Sequence, residues 1–345
     1  MDVLLIGMGM VAQTHLHALR DNEAGLRLTS VLGRDPVRTA GFCAMASAVM
    51  GAPVTRFTDL SDALQARPDV AILITPPNAR MAYAEALADA GIPTQMEKPV
   101  ARTLDAARRI VAAYAAAAVP LGLCFQHRTR MAAQTLKARL EAGDLGDIVH
   151  VDIRVPWWRD QAYYDAPGRG SYARDGGGVM INQAIHTLDL AIWLAGPVAQ
   201  LQAQMQTSPI HAMEAEDIAA ALLTFKTGAS GVLSASTAAY PGGAESIALT
   251  TTRAQVQLQG DRLQLDWHDG GQEVIAPDTD ARTGGGADPM AFTHAWHQAV
   301  IEDFARAVAT GQPPLAPPDQ ALHVQAVIHA MEQAARSGKR MDIPA

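Results

Sequence analysis

Val3-Leu4-Leu5-Ile6-Gly7-Met8-Gly9-Met10-Val11-Ala12 runs four apolar residues into two closely spaced glycines and then into a helical pattern. A strand, a tight turn and a helix in that order are what the G-x-G-x-x-G/A pattern requires. Gly7 permits the turn, Gly9 lets backbone approach a pyrophosphate, and Ala12 keeps the helix close to the strand. N–H groups at the helix start, beginning around Met10 and Val11, can then receive phosphate oxygens. The stretch therefore predicts a dinucleotide site at Gly7, Gly9, Met10 and Val11.

Outward from that turn, the first half alternates short apolar runs with helical patterns. Strands are expected at residues 3–6, 28–32, 69–74, 92–96 and 121–125. Helices are expected between them, at 11–19, after Asp35-Pro36, at 79–90 and at 103–118, with a further one at 129–142. Asp35 reads as an N-cap and Pro36 as a first-turn residue. Repeated strand–helix–strand units give a parallel sheet whose ligands lie beyond its carboxyl edge. That edge carries Thr75, Pro76 and Asn78 after one strand, and Glu97-Lys98-Pro99 after the next. Thr75, Pro76, Asn78, Glu97 and Lys98 are placed as cofactor contacts. Lys98 is also placed at the reacting centre.

The second strand ends in Val31-Leu32-Gly33-Arg34-Asp35. An acidic residue there would bond the ribose 2′-hydroxyl of NAD. Gly33 stands in its place and Arg34 follows, and a guanidinium can pair with a 2′-phosphate. The expected cofactor is NAD or NADP, with a lean toward NADP.

The chain has 345 residues, beyond one ordinary core, so two domains are expected. Its net charge of -8, from 27 basic and 35 acidic residues, disfavours nucleic acid or an anionic membrane as partner. The longest apolar run, residues 110–125, is interrupted by Pro120 and Gly122 and reads as a helix end, a turn and a buried strand. No secretion signal is read at the amino terminus, and Cys43 and Cys124 read as small buried residues. Both readings fit a cytoplasmic protein. No His, Cys or carboxylate set has metal-ligand spacing, so no metal is expected.

Past residue 148 the texture changes. Strand-like runs at 148–155, 201–207, 218–225, 230–237, 246–252, 254–258 and 263–267 are linked by turns, with one helix at 179–194. A polar, Gly-rich loop follows at 270–288, and helices at 291–309 and 319–336 end the chain. The fold class is α/β: a doubly wound parallel sheet in residues 1–125, then an α/β domain with a large, mostly antiparallel open sheet in residues 126–345. The final helices are free to pack back on the first domain. The open sheet face points to a homodimer or homotetramer.

Two segments of the second half carry candidate chemistry. Gly176-Gly177-Gly178 precedes Asn182, His186 and Asp189. On a helix, Asn182 and His186 share a face. Asp189, three past His186, either bonds the imidazole or packs nearby. Trp157, Trp158, Arg159, Tyr163, Tyr164 and Arg169 lie between a strand and the glycine run. Aromatic faces stack on sugar rings and arginine pairs with anions. Trp158, Arg159, Tyr163 and Arg169 are therefore candidates for binding a carbohydrate, including an anionic one.

Taken together, the amino-terminal Gly-x-Gly-x-x-Ala, Glu97-Lys98-Pro99, Gly143-Asp144-Leu145-Gly146 and the Gly-Gly-Gly…Asn182…His186…Asp189 series resemble the Gfo/Idh/MocA oxidoreductases. The likeness spans almost the whole chain, including the ending from Phe304 to Pro313. It implies a Rossmann domain, nicotinamide at the sheet's carboxyl edge, and hydride exchange with a secondary hydroxyl of a sugar, polyol or glycoside. It implies that Lys98 and His186 are the catalytic pair and that Arg128, after His127, lies near the nicotinamide or substrate. Many members hold aspartate where this chain has Asn182. Asparagine takes up no proton, so its expected task is to orient substrate or ribose, as in the subgroup resembling nucleotide-sugar and glycoside 3-dehydrogenases. A glycoside hydrolase working by transient C3 oxidation would carry the same motifs; a non-catalytic cofactor sensor is the other alternative, and retention of both Lys98 and His186 argues against it.

Overall fold

The computed structural model describes residues 1–276 and 292–344. It divides into two units: Met1–Gln126 with His294–Leu322, and His127–Thr293 with His323–Ala345.

The first unit is built on six parallel strands: β1 (Asp2–Ile6), β2 (Arg27–Leu32), β3 (Thr55–Phe57), β4 (Val70–Leu73), β5 (Thr94–Glu97) and β6 (Leu121–Cys124). Their order is β3-β2-β1-β4-β5-β6. The order reverses beside β1, the switch point beyond which doubly wound sheets bind ligands. β4 and β5 are buried at every residue because helices cover both sheet faces. Val3, Leu5 and Ile72 form a core with Leu16 and Leu19 of the helix Ala12–Asp21. Ile301 and Ala305 of the helix Ala295–Thr310 complete it, so late sequence belongs to the first unit's core.

Local chemistry sets the helix starts. The Asp35 carboxylate accepts from the N–H groups of Val37 and Arg38, with Pro36 in the first turn. Thr103 caps Leu104–Ala117 in the same way. β3 and the helix Leu60–Gln65 escape a periodicity reading because each is too short to show a repeat. β5 begins and ends later than its apolar run, so Glu97 closes the strand and Lys98 stands just beyond it.

The second unit is a sheet of nine strands: β7 (Ile148–Pro156), β8 (Val198–Gln206), β9 (Ile218–Phe225), β10 (Ser230–Ser236), β11 (Ser246–Thr251), β12 (Ala254–Gln259), β13 (Arg262–Trp267), β14 (Gln272–Ile275) and β15 (Met341–Asp342). Their order is β14-β13-β12-β11-β7-β10-β9-β8-β15. Only the β7–β10 pairing is parallel; the other neighbours run antiparallel. Burial alternates along β9, with Ala219, Ala221, Leu223 and Phe225 inward and Ala220 and Leu222 outward. The helix Ile185–Ala195 packs on the inward face and is buried along nearly its whole length.

The expected single helix at 179–194 is two elements. Met180–Ala184 is π-helical, and a regular helix follows. β14 falls inside the expected polar loop, whose remainder from 277 lies outside the described residues. β15 and the short helix Gln161–Asp165 were not legible, again for want of length.

Candidate active site

In the first unit, Gly7 takes φ 103°, and a Cβ there would stand 3.1 Å from the backbone of Ile74 and Thr75. Only glycine lets the turn lie this close to β4. At Gly9 the nearest atom to such a Cβ is 3.9 Å away, so the backbone face is open to a ligand. The helix that follows has Val11 at its N-cap, with no side-chain acceptor for its first N–H groups. Those groups suit a phosphate. Beside the turn, the Thr75 hydroxyl is buried without a hydrogen-bond partner among the described residues, while Pro76 and Asn78 are exposed. The residues present therefore fit a dinucleotide.

A Cβ at Gly33 would lie 2.3 Å from the Met8 terminal methyl and 2.5 Å from the Thr39 hydroxyl. An acidic side chain there would require both to shift. Asp35, the next candidate for the ribose, is engaged as a helix cap. Arg34, Arg38 and Arg56 are exposed around this strand end, and Arg56 donates to the Pro36 carbonyl.

Glu97 is buried, and its carboxylate lies 2.8 Å from His15 Nε2 and 3.6 Å from His297 Nε2. Burial alone would raise its pKa, yet hydrogen bonds from both histidines hold it well below the usual carboxylate range. Burial lowers the pKa of His297, against the pull of Glu97, and burial with Glu97 pushes the Cys124 thiol well up. The sequence spacing held no metal set, but the fold brings four metal-capable groups, those of His15, Glu97, Cys124 and His297, within 4.8 Å of one another. Two ligands of a tetrahedral zinc at roughly 2.0–2.1 Å stand about 3.3 Å apart. The 2.8 Å contact is at hydrogen-bond distance, so the four side chains stand here as a hydrogen-bond network around the Glu97 carboxylate. Lys98, half-buried, follows it directly.

Arg80 was not singled out from the sequence. It is 2% exposed, and its guanidinium donates to the carbonyls of Thr75, Glu97 and Pro99. A buried arginine at a helix start leaves no pattern that sequence alone reveals.

In the second unit, the glycine run turns onto Glu216, whose carboxylate accepts from the N–H groups of Gly178 and Met180 at 3.0 Å each. The Asn182 amide donates back to the carbonyls of Gly177 and Gly178 at 2.9 and 3.0 Å. The π-turn follows, a feature often met at functional sites. His186 is buried and stacks on His127, with ring centroids 5.0 Å apart. Asp189 does not hold the His186 imidazole. Both its oxygens are bonded by Arg128, at 2.6 and 2.8 Å. Arg128, expected as a cofactor contact, has no exposed surface and serves to anchor this helix.

The aromatic segment divides likewise. Arg159 is buried, donates to the Trp158 carbonyl, and lies over the rings of Trp157 and Tyr163. It is packed into its own loop rather than presented to a ligand. Its carbonyl is bonded by His211, which is paired with buried Asp217 at 2.7 Å. Arg169 is half-buried, stands 4.5 Å over the Tyr163 ring and donates to its hydroxyl, which also accepts from Gln183. Gln183 adjoins Asn182, so Tyr163 and Arg169 are tied to the π-turn. Half-buried Trp158 meets Tyr240 edge-on, and Tyr240 is 78% exposed.

The doubly wound sheet of the first unit, with a glycine turn beside β4 that suits a phosphate, has the form of a dinucleotide-binding domain. Residues 1–124 match the oxidoreductase family with an NAD-binding Rossmann fold, and residues 133–257 match the GFO/IDH/MocA C-terminal domain. The chain belongs to the Gfo/Idh/MocA oxidoreductase family. It is 30% identical over 246 residues to D-apiose dehydrogenase of Paraburkholderia graminis, a match covering 67% of this chain and 59% of that enzyme. It is 26% identical to D-apiose dehydrogenase of Rhizobium rhizogenes, over 99% of this chain and 97% of that one. The WlbA dehydrogenase from Bordetella pertussis, solved with NADH and UDP-GlcNAcA, is 28% identical and superposes with a TM-score of 0.82, covering 100% of this chain and 99% of that one.

Proposed function

We propose that the protein reversibly oxidises a secondary hydroxyl of a sugar or polyol, with Lys98 and His186 serving the reacting group. The observation that carries this is the buried His127–His186 stack beyond the Asn182 π-turn. It occurs in a chain whose first unit ends β5 at Glu97, with Lys98 next in sequence. Alcohol oxidation needs a group to take the hydroxyl proton, and histidine does so near neutral pH. The nicotinamide, when bound, supplies the hydride acceptor. Lys98 bonds the hydroxyl oxygen and His186 takes up its proton. Asn182, held by two backbone carbonyls, orients substrate. Arg169 and Tyr163, joined to the same turn through Gln183, favour a sugar bearing a carboxylate or phosphate. The relative bound to UDP-GlcNAcA supports an acidic sugar, and the D-apiose dehydrogenases support a carbohydrate.

Gly33 in the acid's place, with Arg34, Arg38 and Arg56 exposed nearby, supports NADP over NAD. The outward face of the nine-stranded sheet, where Leu222 is 62% exposed, supports a homodimer or homotetramer. Cys43 and Cys124, both free and buried, support a cytoplasmic site of action; among the described residues no helix is long and apolar enough to cross a membrane.

The test is cofactor reduction by the wild-type protein with NAD and with NADP on a panel of neutral sugars, inositols, glycosides and sugar acids, with product analysis. Reduction with a sugar acid and a higher kcat/KM for NADP is expected. Lys98→Ala and His186→Ala should each lower turnover about a hundredfold. Near-normal turnover in either variant would remove that residue from the reaction. Glycoside cleavage without net cofactor reduction would replace oxidation by redox-assisted hydrolysis.

A further inference from the structure

We propose that Arg80 is a positioning residue for Lys98: its guanidinium ties the carbonyls on both sides of that lysine to the end of β4. This rests on the reading that Lys98 serves the reacting hydroxyl.

Lys98 lies outside β5, so the sheet's hydrogen-bond ladder ends one residue before it. Beyond a strand end, backbone is held only by what else bonds it. Here the Glu97 and Pro99 carbonyls both accept from Arg80 Nη1, while Nη2 donates to the Thr75 carbonyl at 2.6 Å. One planar group therefore fixes the chain before Lys98, after Lys98, and at the neighbouring strand end where the glycine turn packs. The Glu97 side chain is fixed independently by His15. The Lys98 backbone is thus bracketed by bonded groups.

The chemistry calls for arginine. Arg80 reaches the three carbonyls with two nitrogens of one planar group, Nη1 to Glu97 and Pro99 and Nη2 to Thr75, whereas an ammonium would have to serve all three from a single atom. Burying a guanidinium is costly, and burial pushes the Arg80 pKa down to about 10, against the opposing pull of Glu97. It stays charged at neutral pH, and its hydrogen bonds to carbonyls are of the stronger, charge-assisted kind. A core residue needed only to fill space would not carry that cost. A displacement of about 1 Å at a reacting group can lower a rate about a hundredfold, so a device that fixes Lys98 has a kinetic consequence.

The experiment is a double-mutant cycle on the full chain with its cofactor, using Arg80→Gln, Lys98→Ala and the pair, with Arg80→Lys as a second variant. Fold is checked by circular dichroism and thermal midpoint. Arg80→Gln should lower kcat tenfold or more while the substrate KM changes less than about threefold. The pair should be no worse than Lys98→Ala within about twofold, because Arg80 acts through the lysine. Arg80→Lys should lose kcat to an intermediate extent, and it decides the matter if the Gln variant does not fold. Wild-type kcat in either folded Arg80 variant, with Lys98→Ala impaired, overturns the proposal. So does a pair whose loss is the product of the two single losses, the mark of a role outside Lys98. Wild-type turnover in Lys98→Ala sinks the reading of Lys98 itself, and the proposal with it.

Discussion

The Asp189 carboxylate takes two hydrogen bonds from the Arg128 guanidinium, at 2.6 and 2.8 Å, and neither side chain has exposed surface. Arg128 follows the stacking residue His127, and Asp189 lies on the helix that carries His186. The pair therefore joins the two backbones behind the stacked rings. Removing one member leaves a buried charge alone, which costs about 3–5 kcal/mol. Asp189→Asn should lower the urea midpoint accordingly. Arg128→Met with Asp189→Leu, which removes both charges, should cost less. Equal losses in the two would show that the charge is not what matters.

Gly178 has no room for a side chain. A Cβ there would stand 1.8 Å from the Glu216 carbonyl oxygen and 2.8 Å from its nitrogen. Backbone blocks it, and backbone does not swing aside as a side-chain tip does. Gly178→Ala should displace the segment that leads into the π-turn, lowering the thermal midpoint by several degrees and turnover by more than tenfold. An unchanged midpoint and rate would mean that this close approach is absent in solution.

Glu332 is the group whose charge changes near neutral pH. Burial, with nearby Glu216, raises its pKa to about 7 in the folded chain. Unfolded, a glutamate titrates near 4.3. The fold thus favours the protonated form. Its contribution is fully present below about pH 4 and is lost as pH rises through 7. Glu332→Gln keeps a neutral side chain throughout. It should flatten the fall in thermal midpoint between about pH 5 and 8 and leave the variant relatively more stable at pH 8. A wild-type midpoint that rises over this range, with the variant parallel to it, would contradict the shift.

In the His15–Glu97–His297–Cys124 cluster, His15 and Glu97 stand at hydrogen-bond distance, 2.8 Å, and the expectation from the sequence is that no metal is bound. Dialysis against a strong chelator should leave the thermal midpoint and turnover unchanged, and elemental analysis should find no stoichiometric zinc. Glu97→Gln should lower the midpoint, because the amide loses the charge and one of the two acceptor oxygens offered to the surrounding groups. One equivalent of tightly bound zinc would make the cluster a metal site.

The first half was legible because its information is local. A glycine that must take φ 103°, an aspartate that caps its own helix, and strands buried on both faces each write themselves into a few neighbouring residues. The same holds for the alternating strands of the second sheet. The short strands β1, β4 and β6 show as apolar runs, whereas β3 (Thr55-Arg56-Phe57) and β14 (Gln272-Glu273-Val274-Ile275) are as short but carry polar residues, so neither a run nor a period marks them. The π-turn at Met180–Ala184 has an ordinary helical sequence and was invisible for that reason.

Residue types at the site were likewise legible, but their partners were not. Lys98, Asn182 and His186 stand out by motif. That Asp189 serves Arg128 rather than His186 follows from a bond across 61 positions of chain. The gathering of His15, Glu97, Cys124 and His297 joins residues from both ends of the sequence. Arg80 reads as an ordinary helical residue until the fold lays three carbonyls around it. The sequence by itself determined the sheet, the turn and the chemistry on offer, because backbone conformation and periodic burial are set by near neighbours. Which buried charges pair, and which backbone holds Lys98 in place, was decided only by tertiary structure. Desolvated groups must find partners wherever the packed chain brings them, and sequence distance carries no record of that.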